Sequence, residues 1–103
     1  MRIIAKSTLR RFWERHPAHA DAQGPLESWH DEALRADWRS PRDIKERYRS
    51  ASFCGNNRVV FNIGGNKYRL VVEMQYQAGI AWVKFIGTHE QYDRIDVETV
   101  NDY

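Results

Sequence analysis

Apolar positions follow a helical period up to about residue 53 and a period of two from about residue 58 onward. In the first stretch, Arg2-Ile3-Ile4-Ala5 reads as a short strand, and Ser7-Thr8 offers an N-cap to a helix running through about His16. Leu9, Phe12 and Trp13 sit at helical spacing within it, and Pro17 stops it. A second helix is predicted over 22–36, with Leu26, Trp29 and Ala33 on one stripe and Gly24-Pro25 confined to its first turn. Ser40-Pro41-Arg42-Asp43 has the residues of a helix start: a Ser cap, a Pro at the first helical position and an acid in the first turn. The short helix that follows stacks Ile44 over Tyr48.

Cys54-Gly55-Asn56-Asn57 breaks the helical pattern. Beyond it, two alternating stretches, 58–63 and 66–74, flank Gly64-Gly65. Two glycines between alternating strands predict a two-residue hairpin, because both turn positions need positive φ. In that register Ile63 faces Asn66, Phe61 faces Tyr68, Val60 faces Arg69 and Val59 faces Leu70. Val59, Phe61 and Ile63 then share the core face with Tyr68, Leu70, Val72 and Met74, while Arg58, Asn62, Lys67, Arg69 and Glu73 form a polar, basic face. A second turn at Gln77-Ala78-Gly79 leads into a strand over 80–86. If Val83 and Phe85 face the core, Lys84 joins the face of Arg69. Helices followed by antiparallel strands make an α+β domain.

A length of 103 residues suits a single domain spanning 1–103. The 42% apolar content, four Trp included, supplies one core. Cys54 is the lone cysteine, so no internal disulfide is possible, and no zinc-ligand spacing surrounds it. Neither a signal peptide at residues 1–6 nor the roughly 20 apolar residues of a membrane span is present, which reads as cytoplasmic. Charge is lopsided: residues 1–69 carry 14 Lys or Arg against 8 acids, and residues 70–103 carry 2 against 6. A basic surface is the usual footprint of a polyanion partner. Arg39, Arg42, Lys45, Arg47 and Arg49 form a run suited either to RNA or an acidic helix, or to plain solvation.

The candidate chemistry lies after the last long strand. Thr88-His89-Glu90-Gln91 is a capping box, so a helical turn should begin at His89 and project His89 and Tyr92 from one side. RNA carries its own nucleophile, the 2′-hydroxyl. An enzyme must take that proton, hold the charge growing on phosphorus and protonate the leaving 5′-oxygen; His, Tyr, Arg and Lys can do all three without a metal. His16, His19 and His30 suggest no metal site, because Pro17 breaks the helix between the first two and no Cys or carboxylate completes a ligand set. No metal, small-molecule cofactor or membrane is therefore expected as a partner. P-loop, dinucleotide and nucleophile-elbow motifs are absent.

Several linked stretches resemble one family. Arg58-Val-Val-Phe-Asn-Ile-Gly-Gly-Asn-Lys-Tyr-Arg-Leu-Val-Val72 resembles the central hairpin of the HigB toxins, and Lys84-Phe-Ile-Gly-Thr-His-Glu-Gln-Tyr-Asp93 resembles their C-terminal signature. Ala36-Asp37-Trp38, Ser40-Pro41, Asp43-Ile44-Lys45 and Ser50-Ala51-Ser52-Phe53 match that family's middle segment, so the agreement runs over roughly 36–96. The resemblance implies a RelE/ParE-like α+β fold, with two to three N-terminal helices packed on one face of a small, mostly antiparallel sheet. It implies the toxin of a type II toxin–antitoxin pair: an endoribonuclease that cuts mRNA during translation on the ribosome and is neutralised by a HigA-like helix-turn-helix antitoxin. Carried over, Arg69 stabilises phosphate, and His89 and Tyr92 transfer protons. Strand parity adds Lys84, and the polar face adds Arg58, Asn62 and Lys67 as RNA contacts. Other proteins of this fold poison DNA gyrase, so a non-nuclease target and a non-catalytic RNA-binding module are the alternatives.

Overall fold

A computed structural model describes residues 1–102. Its elements run β1 (Arg2–Ile4), α1 (Lys6–Arg15), a 3-10 segment (Pro17–Ala22), α2 (Gln23–Arg35), α3 (Pro41–Arg47), β2 (Ser52–Cys54), β3 (Arg58–Ile63), β4 (Tyr68–Gln75), β5 (Ile80–Thr88) and α4 (His89–Tyr92). The fold is α+β, as expected. Its five strands form one sheet in the order β1-β5-β4-β3-β2, with only the β1–β5 pair parallel.

The N-terminal helices form largely where the pattern placed them, with different caps. Ser7-Thr8 is not the start of α1; Ala5 is the capping residue, in extended conformation and with no side-chain cap. Pro17 does end α1, and the His16 Nδ1 accepts from the Ala18 N–H at 3.2 Å to hold the new turn. Leu26, Trp29 and Ala33 of α2 are buried as the stripe predicted. Each large side chain of that kind contributes about 1.5–3 kcal/mol on burial. Ser40 occupies the cap position of α3, but its side chain makes no cap bond; the Asp43 carboxylate instead accepts from the Arg39 N–H at 2.9 Å.

In the sheet, the β3–β4 register differs from the expected one by two residues. Phe61 pairs with Leu70, Asn62 with Arg69 and Ile63 with Tyr68. The connection is therefore a four-residue loop, 64–67, in which Gly64 and Gly65 take φ of 64° and 71° and the Lys67 N–H returns to the Gly64 carbonyl at 3.4 Å. A slip of two keeps every side chain on its own face, whereas a slip of one would have reversed them all. Val59, Phe61, Ile63, Tyr68, Leu70, Val72 and Met74 accordingly pack under the helices with Leu26 and Trp29.

The opposite face is where expectation and structure part. It is not simply polar, because Val60 and Val71 alternate onto it and form a second small core with Phe85. Tyr92, Ile95, Val97 and Val100 from α4 and the tail after it cover that core. A shift in the β4–β5 register at Val71/Val72 explains Phe85: Val72 pairs with Val83 but Val71 with Phe85, so Lys84 is an extra residue between them. The bulge sends Val83 to the first core and Phe85 to the second, which corrects the expectation that both face the helices.

Candidate functional site

Asn62, Arg69 and Gly87 form one row across the three central strands. Gly87 is dictated by space: a Cβ there would lie 2.5 Å from Phe85 Cζ and 2.8 Å from Gln91 Oε1. The Thr88–Gln91 capping box forms as predicted and turns the chain back over the row, with the Gln91 N–H bonded to Thr88 Oγ1 at 3.1 Å and the Thr88 N–H to Gln91 Oε1 at 2.9 Å. The His89 N–H bonds to the Lys67 carbonyl at 3.3 Å and ties that turn to the β3–β4 loop.

Arg69 is 9% exposed, with Nη1 donating to the carbonyls of Asn66 (3.0 Å) and Tyr68 (3.3 Å). Among the described residues, no hydrogen bond uses its Nε or Nη2, and none uses the Asn62 side chain or the Tyr92 hydroxyl. Burial pushes the Tyr92 phenol up, with Cys54 and Asp93 adding to the rise and the Arg69 charge working against it. Tyr92 is therefore a neutral phenol at ordinary pH, able to give a proton. His89 is exposed, with Nδ1 3.3 Å from the Asp93 carboxylate, an arrangement that favours the proton on Nδ1 and leaves Nε2 as the acceptor. The turn thus joins an outward imidazole and an inward phenol.

The remaining sequence candidates are elsewhere occupied. Arg58 is 6% exposed, ion-paired with Glu73 and bonded through Nη1 to the carbonyls of Val97 (3.2 Å) and Val100 (2.6 Å). It pins the tail to the sheet. Lys67 does not join the Arg69 face: it lies in the loop and pairs with Asp21 on the helix side, where the Asp21 carboxylate also accepts from the Tyr68 hydroxyl. Those two donors hold the Asp21 carboxyl below its ordinary range. Lys84 binds Asn101 Oδ1 at 2.9 Å and sits over the Trp82 ring, three strand residues from Gly87, or roughly 10 Å. In the basic run, Arg39 pairs with Asp37, Arg42 with Glu46 and Arg47 with Glu32, while Lys45 donates to the Ala51 carbonyl. That surface is largely neutralised from within.

Sequence reasoning did not find Asp21, the Cys54 thiol near Tyr92, or the tail as a cover. Ile95, Val97 and Val100 in an otherwise acidic tail were the available signal. His30 is buried in α2, and burial pushes its pKa down. No group of three or more His, Cys, Asp or Glu among the described residues could hold a metal ion, and no helix among them is long and apolar enough to cross a membrane.

Residues 22–95 match the family model of the HigB toxins, described as the RelE-like toxic component of a toxin–antitoxin system. Two similar proteins are the mRNA interferase toxin HigB of Escherichia coli (strain K12) and the mRNA interferase HigB of Shigella flexneri. Each is 23% identical over 95 residues, covering 90% of this chain and 88% of the relative.

Proposed function

We propose that this chain, which belongs to the HigB family of RelE-like toxins, is an endoribonuclease that cleaves mRNA without a metal ion and is neutralised by a HigA-like antitoxin. The observation that carries the reading is the Asn62–Arg69–Gly87 row beneath the His89–Tyr92 turn, with the free edge of Arg69 and the Tyr92 hydroxyl unclaimed by other described residues. The names of the relatives support the same activity.

In this mechanism His89 Nε2 takes the proton of the 2′-hydroxyl as its oxygen attacks the neighbouring phosphorus. Arg69 donates through Nε and Nη2 to the oxygens on which charge grows, and Asn62 adds a neutral donor beside it. Tyr92 gives its proton to the departing 5′-oxygen, so the products are a 2′,3′-cyclic phosphate and a 5′-hydroxyl. Asp93 holds the His89 ring. Lys84 lies too far along β5 to share this phosphate and meets a neighbouring one, while Arg58 contacts RNA only if the tail lifts. Cutting during translation fits a substrate presented as single-stranded message.

The test is expression of the chain alone and beside its antitoxin, with mapping of message ends in both cultures. Cuts ending in cyclic phosphate, suppressed by the antitoxin, are the expected result. Growth arrest with intact messages would transfer the reading to a non-nuclease target such as gyrase.

A further inference from the structure

A cleft of about 580 Å³ opens between α1 and the segment after α4, floored by Phe85 and Ile86 of β5. Through Phe85 and Gln91 it borders Gly87, the β5 end of the Asn62–Arg69–Gly87 row, but none of the roles above uses it. Its volume is that of a site for a small ligand or one nucleotide unit. Arg11 and Arg15 enter it from one face of α1, and Arg94 enters from the opposite wall. Arg11 and Arg15 are exposed and have no acidic partner among the described residues; Arg94 shares an exposed pair with Glu90 at 3.1 Å. Asp102 is the one acid among the described residues that line it.

Beside these charges stands an aromatic platform. The rings of Phe12 and His19 stack at 4.4 Å and 11°, and Tyr68 meets each of them edge-on. The Pro17 turn, capped by His16, is what brings His19 back over Phe12. Unpaired arginines interleaved with flat rings are the combination that binds single-stranded nucleic acid, through phosphate and base stacking together. A protein partner needs no stacking platform, and a lipid surface needs no cleft.

We infer that this cleft is a second RNA subsite, in which Arg11, Arg15 and Arg94 hold phosphate and the Phe12–His19 pair stacks a base next to the scissile nucleotide. The placement deepens the nuclease reading and rests on RNA being the substrate. Arg94 follows Tyr92 by two residues, so a strand whose phosphate meets the His89–Tyr92 turn continues directly past Arg94 into the cleft. The site would thereby fix the position of the message and favour particular bases beside the cut.

Binding separates from chemistry with a short, fluorescein-labelled 2′-O-methyl RNA, whose nucleophile is blocked. The doubly substituted Arg11→Ala, Arg15→Ala protein should bind it about tenfold or more weakly than the unmutated protein. The slope of log affinity against log salt should flatten by roughly 1.4, the share of two phosphate contacts on a single strand. His19→Ala should lose about tenfold with the salt slope kept, because stacking is not ionic. Circular dichroism monitors folding, and both arginines are exposed enough to be removed without disturbing the core. With a cleavable message, these losses should appear as a raised KM, in contrast to the lost single-turnover rate expected of Arg69→Ala. Unchanged affinity and slope in a protein that still cuts RNA would overturn the subsite and leave the nuclease reading standing. Weakened binding in variants of a protein that cuts nothing would keep the subsite and overturn the nuclease. A cleft that loses only antitoxin affinity on substitution would belong to a protein partner, and the inference would fall.

Discussion

The buried guanidinium of Arg58 donates to the Val100 carbonyl at 2.6 Å, joining the first residue of β3 to the chain's C-terminal tail. It also carries the Val97 carbonyl and the Glu73 carboxylate. Arg58→Ala should cost about 2–4 kcal/mol of folding stability, since it strands a partly buried carboxylate and two carbonyls. Chemical denaturation measures the cost. A variant of unaltered stability that nonetheless binds RNA poorly would show the tail lifted in solution and Arg58 facing substrate.

Arg69→Ala should slow single-turnover cleavage by about a hundredfold or more, the usual effect of losing one donor to transition-state charge. Because Arg69 is 9% exposed and bonds to the Asn66 and Tyr68 carbonyls, the change should also lower stability by about 1–2 kcal/mol. The comparison with Arg69→Lys separates the two effects, since a lysine keeps charge but not the planar fork. Equal rates for all three proteins would displace the active site.

His89→Ala and Tyr92→Phe should each reduce the rate by about 10²–10⁴-fold. The His89 side chain is 55% exposed, and the Tyr92 hydroxyl bonds to no described residue, so neither change should unfold the domain. Burial raises the Tyr92 pKa, so the loss of rate at high pH should begin above the ordinary tyrosine range and disappear from the profile in Tyr92→Phe. A profile unaltered by that substitution would remove Tyr92 from the mechanism.

Acid should weaken the anchoring of the 64–67 loop, which leads into the strand that carries Arg69. The Asp21 carboxyl is held below its ordinary range by hydrogen bonds from Lys67 and Tyr68, so the stability it contributes is present above the ordinary aspartate value and is lost as pH falls through the lower, folded one. Asp21→Asn should therefore be less stable at neutral pH and show a shallower decline in melting temperature on acidification. An identical decline in both proteins would place the acid-sensitive group elsewhere.

Cleavage should survive excess EDTA, because His89, Tyr92 and Arg69 supply the proton transfers and the charge that a metal would otherwise supply. Activity abolished by chelation and restored by one particular divalent ion would replace the mechanism, provided any ribosomes are kept intact by other means.

The face assignments were legible in the sequence because they depend on parity alone. Val59, Phe61 and Ile63 alternate, and Tyr68, Leu70, Val72 and Met74 do too, so even a register wrong by two residues put each on the right side. Parity failed at Lys84, where an extra residue sends Phe85 to the other face, and local alternation carries no mark of such a bulge. The same periodicity held a warning that the second face was not plain surface: Val60 and Val71 sit among its polar residues and require a cover. That cover comes from the tail, whose apolar residues are too irregularly spaced to read as an element. The capping box at Thr88 was legible because a helical turn needs its first amides satisfied locally, within four residues. Lys67 was misplaced because its partner, Asp21, lies far away in sequence on the opposite layer.

The parallel pairing of β1 with β5 sets a timetable for synthesis. Arg2 pairs with Ile80 and Ile4 with Trp82, so β1 is made well before the strand it needs as a neighbour. A chain interrupted before residue 80 has neither β5 nor the turn that follows it, and α1 and the His19 ring have no β5 wall to stand against. The His89–Tyr92 turn and the α1 face therefore come together only in a chain that already includes β5 and the residues after it.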